Sequence, residues 1–403
     1  MKKIDHQLGV GCADIQDQEK KYVNEVLNNS RLSYGPFTRD FEQMFSSMHE
    51  CKKALFVNSG TSALRIAVAA LKEIHSWKDG DEIICPSTTF IASSNVILMN
   101  QLTPVFTDVS PVSYNLDPSK IEAKITKRTR AIMVVHLFGQ PADMEPIMKI
   151  ARKHKLKVIE DSCETMFAKY QGKSVGSFGD ISCFSTYVAH FIVTGVGGLA
   201  LTNNKKYFEV MRSLANHGRD LVYVTIDDDK NLTLKKFKEV VKRRFRFLRL
   251  GYSFRATEME SALGLAQLER KDEIVAARKK NAAILTAGLQ PFEKYLQLPT
   301  WPCYSEHVFM MFPIVIKKGI KINRDELIMH LEINNIETRD MLPLVDQPVY
   351  KKIFGNILKN FPVSNWISTH GFYIGCHQKF TEEELKYVIE KFREFFKLKK
   401  IMV

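Results

Sequence analysis

From about residue 20 to 210 two hydrophobic patterns take turns along the chain. In one, apolar residues recur every three or four positions. It covers 15–28, 62–74 and 145–154 and predicts amphipathic helices. In the other, short, mostly apolar runs are bounded by polar or turn-forming residues, at 54–57, 82–85, 104–106, 131–135, 157–159 and 199–201. Such runs suit strands buried on both faces. Their alternation with helices predicts an α/β layered domain around a largely parallel sheet.

The pattern changes after residue 226. Asp227, Asp228 and Asp229 precede a strongly basic stretch, and one long helical run is predicted over 257–277. A weaker strand follows at 310–316. Thr381 and Glu384 form a capping box for a last helix reaching about 396. The C-terminal third reads as a smaller α+β domain, with the division expected between 1–265 and 266–403.

Composition narrows the picture. The chain has 403 residues, 45% apolar and 26% charged, which excludes a mainly disordered chain, collagen or a disulfide miniprotein. Lys and Arg number 58 against 45 Asp and Glu, a net charge of +13. That favours an anionic partner, and nucleic acid, a membrane surface or a phosphorylated metabolite would all qualify. No apolar run is long enough to span a membrane. The seven cysteines are scattered, odd in number and without a C-x-x-C pair, so neither metal-ligand spacing nor a full disulfide set is present. Residues 1–21 lack the apolar core of a secretory signal, and a reducing cytoplasm is the expected compartment.

Three segments carry candidate chemistry. Asn58-Ser59-Gly60-Thr61-Ser62 follows a strand and opens a helix, where backbone N–H groups can hold a phosphate. Such starts are also common without a ligand. Asp161 stands at the carboxyl end of a strand, where open α/β sheets bind ligands. It suits pairing with a ring nitrogen, or it caps a helix. In 182–198 a strand leads through a polar turn and glycines to another strand, and His190 is the ionisable group there. A lone histidine is usually structural, but its imidazole titrates near ~6.5 and can serve as acid and base.

Taken together, the order and spacing resemble the large domain of fold-type I enzymes using pyridoxal 5′-phosphate. More narrowly, the chain resembles the DegT/DnrJ/StrS family of nucleotide-sugar aminotransferases. The markers are NSGTSAL (58–64), CPSTTFIASSN (85–95), VHLFGQPADM (135–144), IEDSCET (159–165), VGSFGDISCFS (175–185), LGYSFRATEMESALGLAQLE (250–269) and GFYIGCHQKFTEEEL (371–385). The resemblance implies a mainly parallel seven-stranded sheet in the large domain and a homodimer. It also implies roles. Gly60, Thr61 and Ser185 would hold the cofactor phosphate, Phe90 would stack on the pyridine ring, and Asp161 would pair with its nitrogen. Glu164 would lie beside the ring. Ser253 replaces an asparagine that reaches the phosphate on the partner subunit. No metal is implied.

One departure outweighs the others. Family aminotransferases have a lysine at the position of His190, which binds the cofactor covalently and shuttles the proton. Val188, Ala189 and Phe191 offer no substitute, and the nearest lysines in sequence are Lys173 and Lys205. A cofactor held without a covalent bond can persist as pyridoxamine 5′-phosphate. A dehydratase branch of the family, acting on GDP-4-keto-6-deoxy-D-mannose in the making of an O-antigen sugar, also has histidine there. It uses L-glutamate to regenerate the amine. His377-Gln378 matches that branch as well. The iron–sulfur dehydrases share the histidine but need a cysteine set absent here.

The expected activity is therefore removal of the 3-hydroxyl from a nucleotide-linked keto sugar, with His190 as acid and base. The alternatives are a sugar aminotransferase with an unusual proton shuttle and a family member that binds without turnover. Two further departures are Gly195-Val196-Gly197-Gly198, where the family has Gly-Glu-Gly-Gly, and the stretch 339–350, which looks more like the aminotransferases. The segment 235–249 has eight basic residues and one acid, Glu239, with Phe237, Phe245 and Phe247 interleaved. It reads as a solvated basic face, a contact for the substrate diphosphate across a dimer interface, or, least favoured, a nucleic-acid surface.

Overall fold

The computed structural model describes residues 3–222 and 230–399. Asp227, Asp228 and Asp229 lie outside the described residues. The strands are β1 (Lys53–Val57), β2 (Glu82–Pro86), β3 (Thr103–Thr107), β4 (Thr129–Val135), β5 (Lys157–Asp161), a short hairpin of β6 (Lys169–Tyr170) and β7 (Lys173–Ser174), β8 (Ile181–Ser185), β9 (Gly198–Thr202), β10 (Leu296–Gln297), β11 (Phe312–Ile316), β12 (Thr338–Asp340) and β13 (Gly371–Ile374).

Seven strands form the large sheet in the order β1-β9-β8-β5-β4-β2-β3. Only β9 runs against its neighbours; the other six are parallel to one another. The apolar runs explain this burial. Along β2, Ile83 and Cys85 pack into one hydrophobic cluster and Ile84 into another on the opposite face, as a period of two requires. Residues of β5 do the same, Ile159 on one face and Val158 on the other. Helices Gly60–His75 and Met144–His154 lie where the sequence pattern placed them, and the N-terminal helix is Asp17–Asn28.

The smaller sheet, β10-β11-β13-β12, is antiparallel throughout. Its core draws on Leu285, Leu327, Phe372 and Phe392 from strands and covering helices. The helix Glu382–Leu398 begins with the expected Thr381–Glu384 capping box. One expectation needs correction. The run 257–277 is two helices, Glu258–Glu269 and Lys271–Leu289, broken at Arg270. Arg270 bonds Asp14 at 3.3 Å and Glu19 at 2.7 Å, so a distant segment holds the break. Among the described residues no helix is long and apolar enough to cross a membrane.

Candidate active site

Because the six parallel strands point one way, the carboxyl ends of β1, β4, β5 and β8 converge on one edge of the sheet. A cavity of about 870 Å³ opens there. Gly60, Thr61, Phe90, Asp161, Glu164, Ser185 and His190 all line it. Ser253 does not. Its backbone bridges to Asn216, and its hydroxyl accepts from Arg255 Nη2 at 2.9 Å.

The helix Gly60–His75 starts against the strand ends. Ser59 caps it, its Oγ accepting from the Ser62 amide at 3.0 Å. A Cβ on Gly60 would lie 2.8 Å from both Cys163 Sγ and Ser185 Cβ, so only glycine lets the helix start sit this close. The first-turn amides have no partner inside the helix and carry the positive end of its dipole.

Neighbouring carboxylates on β5 have different surroundings. Glu160 is buried and accepts from the amides of Gly176 (2.7 Å), Phe178 (2.9 Å) and Gly179 (2.6 Å). His136 Nδ1 accepts the Ala142 amide, which leaves a proton on Nε2 to donate to Glu160 at 3.2 Å. That carboxylate is saturated and structural. Asp161 points the other way, into the cavity, and is also buried. It accepts from Ser93 Oγ at 2.6 Å and the Cys163 amide at 3.2 Å. Burial raises its pKa. Among the described residues it has no cationic partner within ion-pair distance. The helix-cap alternative is not realised, since no helix starts after it.

His190 lies on the loop joining β8 to β9. Its amide donates to the Tyr187 carbonyl at 2.9 Å, and the next turn is pinned by the Val193 amide on Gln267 Oε1 at 2.8 Å. The ring Nδ1 is 3.1 Å from the Ser185 carbonyl, which can only accept. Nδ1 therefore carries the proton and Nε2 a free lone pair. Burial in the cavity wall lowers the pKa to about 4, so the ring is neutral at pH 7. Glu164 is pushed up to about 7, chiefly by burial, although the Phe138 amide at 3.1 Å opposes the shift. Phe90 is 56% exposed, leaving its ring face open at the cavity mouth.

The far wall carries residues to which the sequence motifs give no role. Arg339, Asp340, Leu342, Pro343, Leu344 and Gln347 line it, within the 339–350 stretch whose likeness to aminotransferases was its one signal. Val10 and Gly11 close another side; the Val10 amide donates to Glu337 Oε2 at 2.6 Å. A Cβ on Gly11 would lie 2.4 Å from Ala189 Cα, so this N-terminal strap rests on the histidine loop. His377 and Gln378 are absent from the lining; His377 stacks on Phe380 at 4.2 Å.

A profile of the DegT/DnrJ/EryC1/StrS aminotransferase family matches residues 13–393. The chain is 34% identical over 385 residues to a GDP-perosamine synthase of Caulobacter vibrioides, covering 95% of this chain and 96% of that protein. It superposes on a GDP-4-keto-6-deoxymannose-3-dehydratase with bound GDP-perosamine at a TM-score of 0.86 and 26% identity, over 96% of this chain and 100% of the other. The E. coli GDP-4-keto-6-deoxy-D-mannose-3-dehydratase with bound hydrated pyridoxal phosphate gives a TM-score of 0.85 at 25% identity, over 96% and 99%.

Proposed function

This chain belongs to the DegT/DnrJ/EryC1/StrS aminotransferase family, and from that premise we propose a nucleotide-sugar 3-dehydratase using pyridoxal or pyridoxamine 5′-phosphate. Its substrate is a nucleotide-linked 4-keto-6-deoxy sugar, and its amino donor is L-glutamate. One observation carries the reading. His190 presents a free Nε2 to the cavity, and no lysine lies among the cavity's described lining residues.

The residues present fit such a cofactor. The tight cradle at Gly60, with Thr61 and Ser185 beside it, suits a phosphate at a helix start. Asp161 is a buried carboxylate facing the cavity with no cationic partner among the described residues, and a protonated ring nitrogen would supply one. Phe90 offers a ring face for stacking. When bound, the cofactor supplies a primary amine for the sugar ketone and a protonated ring that takes up an electron pair.

The protein's own residues do the rest. Asp161 keeps the ring nitrogen protonated, and Thr61 and Ser185 hold the phosphate end. Nε2 of His190 accepts a proton and returns one to the departing hydroxyl. The Nδ1–H stays on the Ser185 carbonyl throughout, so the ring keeps its orientation. Glu164, its pKa pushed up to about 7 chiefly by burial, can hold a proton beside the ring. Over the full reaction the sugar loses its 3-oxygen as water and gains a C–H bond. L-Glutamate supplies the two electrons and leaves as 2-oxoglutarate and ammonia. The working unit in this reading is a homodimer, in which Ser253 donates to the cofactor phosphate of the partner subunit.

A second reading, a sugar aminotransferase, is favoured by the higher identity to the perosamine synthase, 34% against 26% for the dehydratase structure. Mass spectrometry separates the two. Protein, pyridoxal phosphate, L-glutamate and a panel of nucleotide 4-keto-6-deoxy sugars should give a product one oxygen lighter, with 2-oxoglutarate and ammonia. A product with an amine in place of the ketone would establish the aminotransferase instead.

A further inference from the structure

Arg278, on the helix Lys271–Leu289, has the largest fully buried side chain among the described residues. A guanidinium in such a place ordinarily faces a carboxylate, because an unpaired buried charge is costly. Among the described residues none pairs with it, and its Nε has no hydrogen-bond partner. Its donors go to main-chain carbonyls instead. Nη1 reaches Met310 at 2.8 Å and, more weakly, Phe309 at 3.5 Å; Nη2 reaches His190 at 3.2 Å. The guanidinium lies over the Phe191 ring, 4.8 Å from its centroid.

The two ends of that fork belong to different sheets. His190 is on the β8–β9 loop of the large sheet, and Met310 leads into β11 of the small one; both line the cavity. Among the described residues Arg278 is the one donor to the His190 carbonyl. The loop's other ties act at Tyr187, at Gln267, at the Ser185 carbonyl on the ring Nδ1, and around Thr186 and Thr194, which bond each other, Val196 and Gly197. They leave the peptide plane after the imidazole unheld.

We propose that Arg278 is a positioning residue for His190: its fork clamps the His190 carbonyl to the strand entering the small sheet and so fixes where Nε2 points. The proposal rests on His190 being the proton-transfer group. It explains why a cation stays buried without a counter-ion: a carboxylate partner would pull the fork away from the carbonyls. The charge acts in the same direction as the geometry. Burial is the largest influence lowering the His190 pKa, the Ser185 carbonyl opposes it, and Arg278 lowers it further. Tyr187 meets the ring edge-on, Asp161, Glu164, Glu337, Arg339, Asp340 and Tyr373 line the other cavity walls, and all are the same in every variant below.

The test compares Arg278→Gln and Arg278→Lys with the wild type, reading pyridoxamine phosphate affinity, kcat with pH, and the His190 imidazole titration by NMR without sugar. In Arg278→Gln, cofactor affinity should stay within about threefold while kcat falls by about tenfold or more, as loose positioning does. The His190 midpoint should move up. Arg278→Lys keeps the charge without the fork, so the midpoint should return toward the wild-type value while kcat recovers only in part. A folded Arg278→Gln with wild-type kcat and titration overturns the proposal. If Arg278→Gln does not fold, full kcat in Arg278→Lys overturns it. Should the wild type turn over no sugar, the dehydratase reading fails, and an unmoved His190 midpoint in folded Arg278→Gln still overturns the proposal.

Discussion

The loop 186–197 and the segment 234–250 are built in opposite ways. The loop has a single imidazole, its neighbours Phe191, Ile192 and Val193 are buried, and hydrogen bonds tie its turns. The segment is crowded with cations and exposes large apolar side chains: Phe245 is 75% exposed and Leu250 97%. Several of its cations already have partners, Arg243 on Asp220 at 2.8 Å and Arg249 on Glu73 at 3.0 Å. Charge density marks a surface met by solvent or by another molecule. Proton transfer needs one group in fixed surroundings, and such a group adds almost nothing to the net charge. The +13 of the whole chain therefore points toward the segment and away from the chemistry.

The largest effect that would break this contrast lies at Asp161. Asp161→Asn keeps the shape and removes the charge. Turnover should fall at least about a hundredfold, the scale at which a catalytic proton is lost, with cofactor affinity reduced. Near-normal turnover would mean the buried carboxylate serves the fold alone.

Gly60→Ala should act next. The added methyl meets Cys163 Sγ and Ser185 Cβ at 2.8 Å, so the helix start must back away from the strand ends. Overpacking of this kind destabilises by about 1–3 kcal/mol. Cofactor affinity should drop by about tenfold, and unchanged affinity in a titration would remove the phosphate role from this turn.

How much of this was readable before the structure differs by region. Strand ends in a parallel sheet converge by topology, so Asp161 could be placed from a run of apolar residues, whereas Ser185 came only with the family resemblance. Gly60 and Thr61 followed from a strand that opens a helix. The far wall could not be placed that way. Arg339, Gln347 and the Val10–Gly11 strap come from distant stretches, and only the packing of the small sheet brings them to the cavity. Arg270 and Arg278 show the same limit. Arg270 falls inside the expected run 257–277 and breaks it through Asp14 and Glu19; Arg278 falls just past the end of that run and is buried at the junction of the sheets. Ser253 lies away from the cavity of its own chain, and its assigned role needs a second subunit.

A smaller effect comes from pH. Below the ordinary histidine pKa a free imidazole would be protonated and useless as a base. With its pKa lowered to about 4, His190 keeps Nε2 bare as the medium turns acid. On this account the acid limb of kcat/KM set by His190 reaches half-loss near pH 4. A limb with its midpoint near 6.5 that vanished in His190→Asn would show the ring to be solvated.

The smallest effect belongs to the basic segment. Replacing Lys235 and Lys238 together with Glu should change folding stability by no more than about 0.5 kcal/mol, as exposed surface changes do. Thermal melts read this directly. A larger loss would show that the segment is buried against something in the working protein.

The central claim is that Nε2 of His190 moves the proton in a cavity with no lysine among its described lining residues. It is tested most directly by pairing a binding measurement with a rate measurement on His190→Ala. Pyridoxamine phosphate affinity should stay close to wild type, while single-turnover formation of deoxygenated sugar should fall by roughly 10²–10⁴-fold. Wild-type rates in that variant would contradict the account.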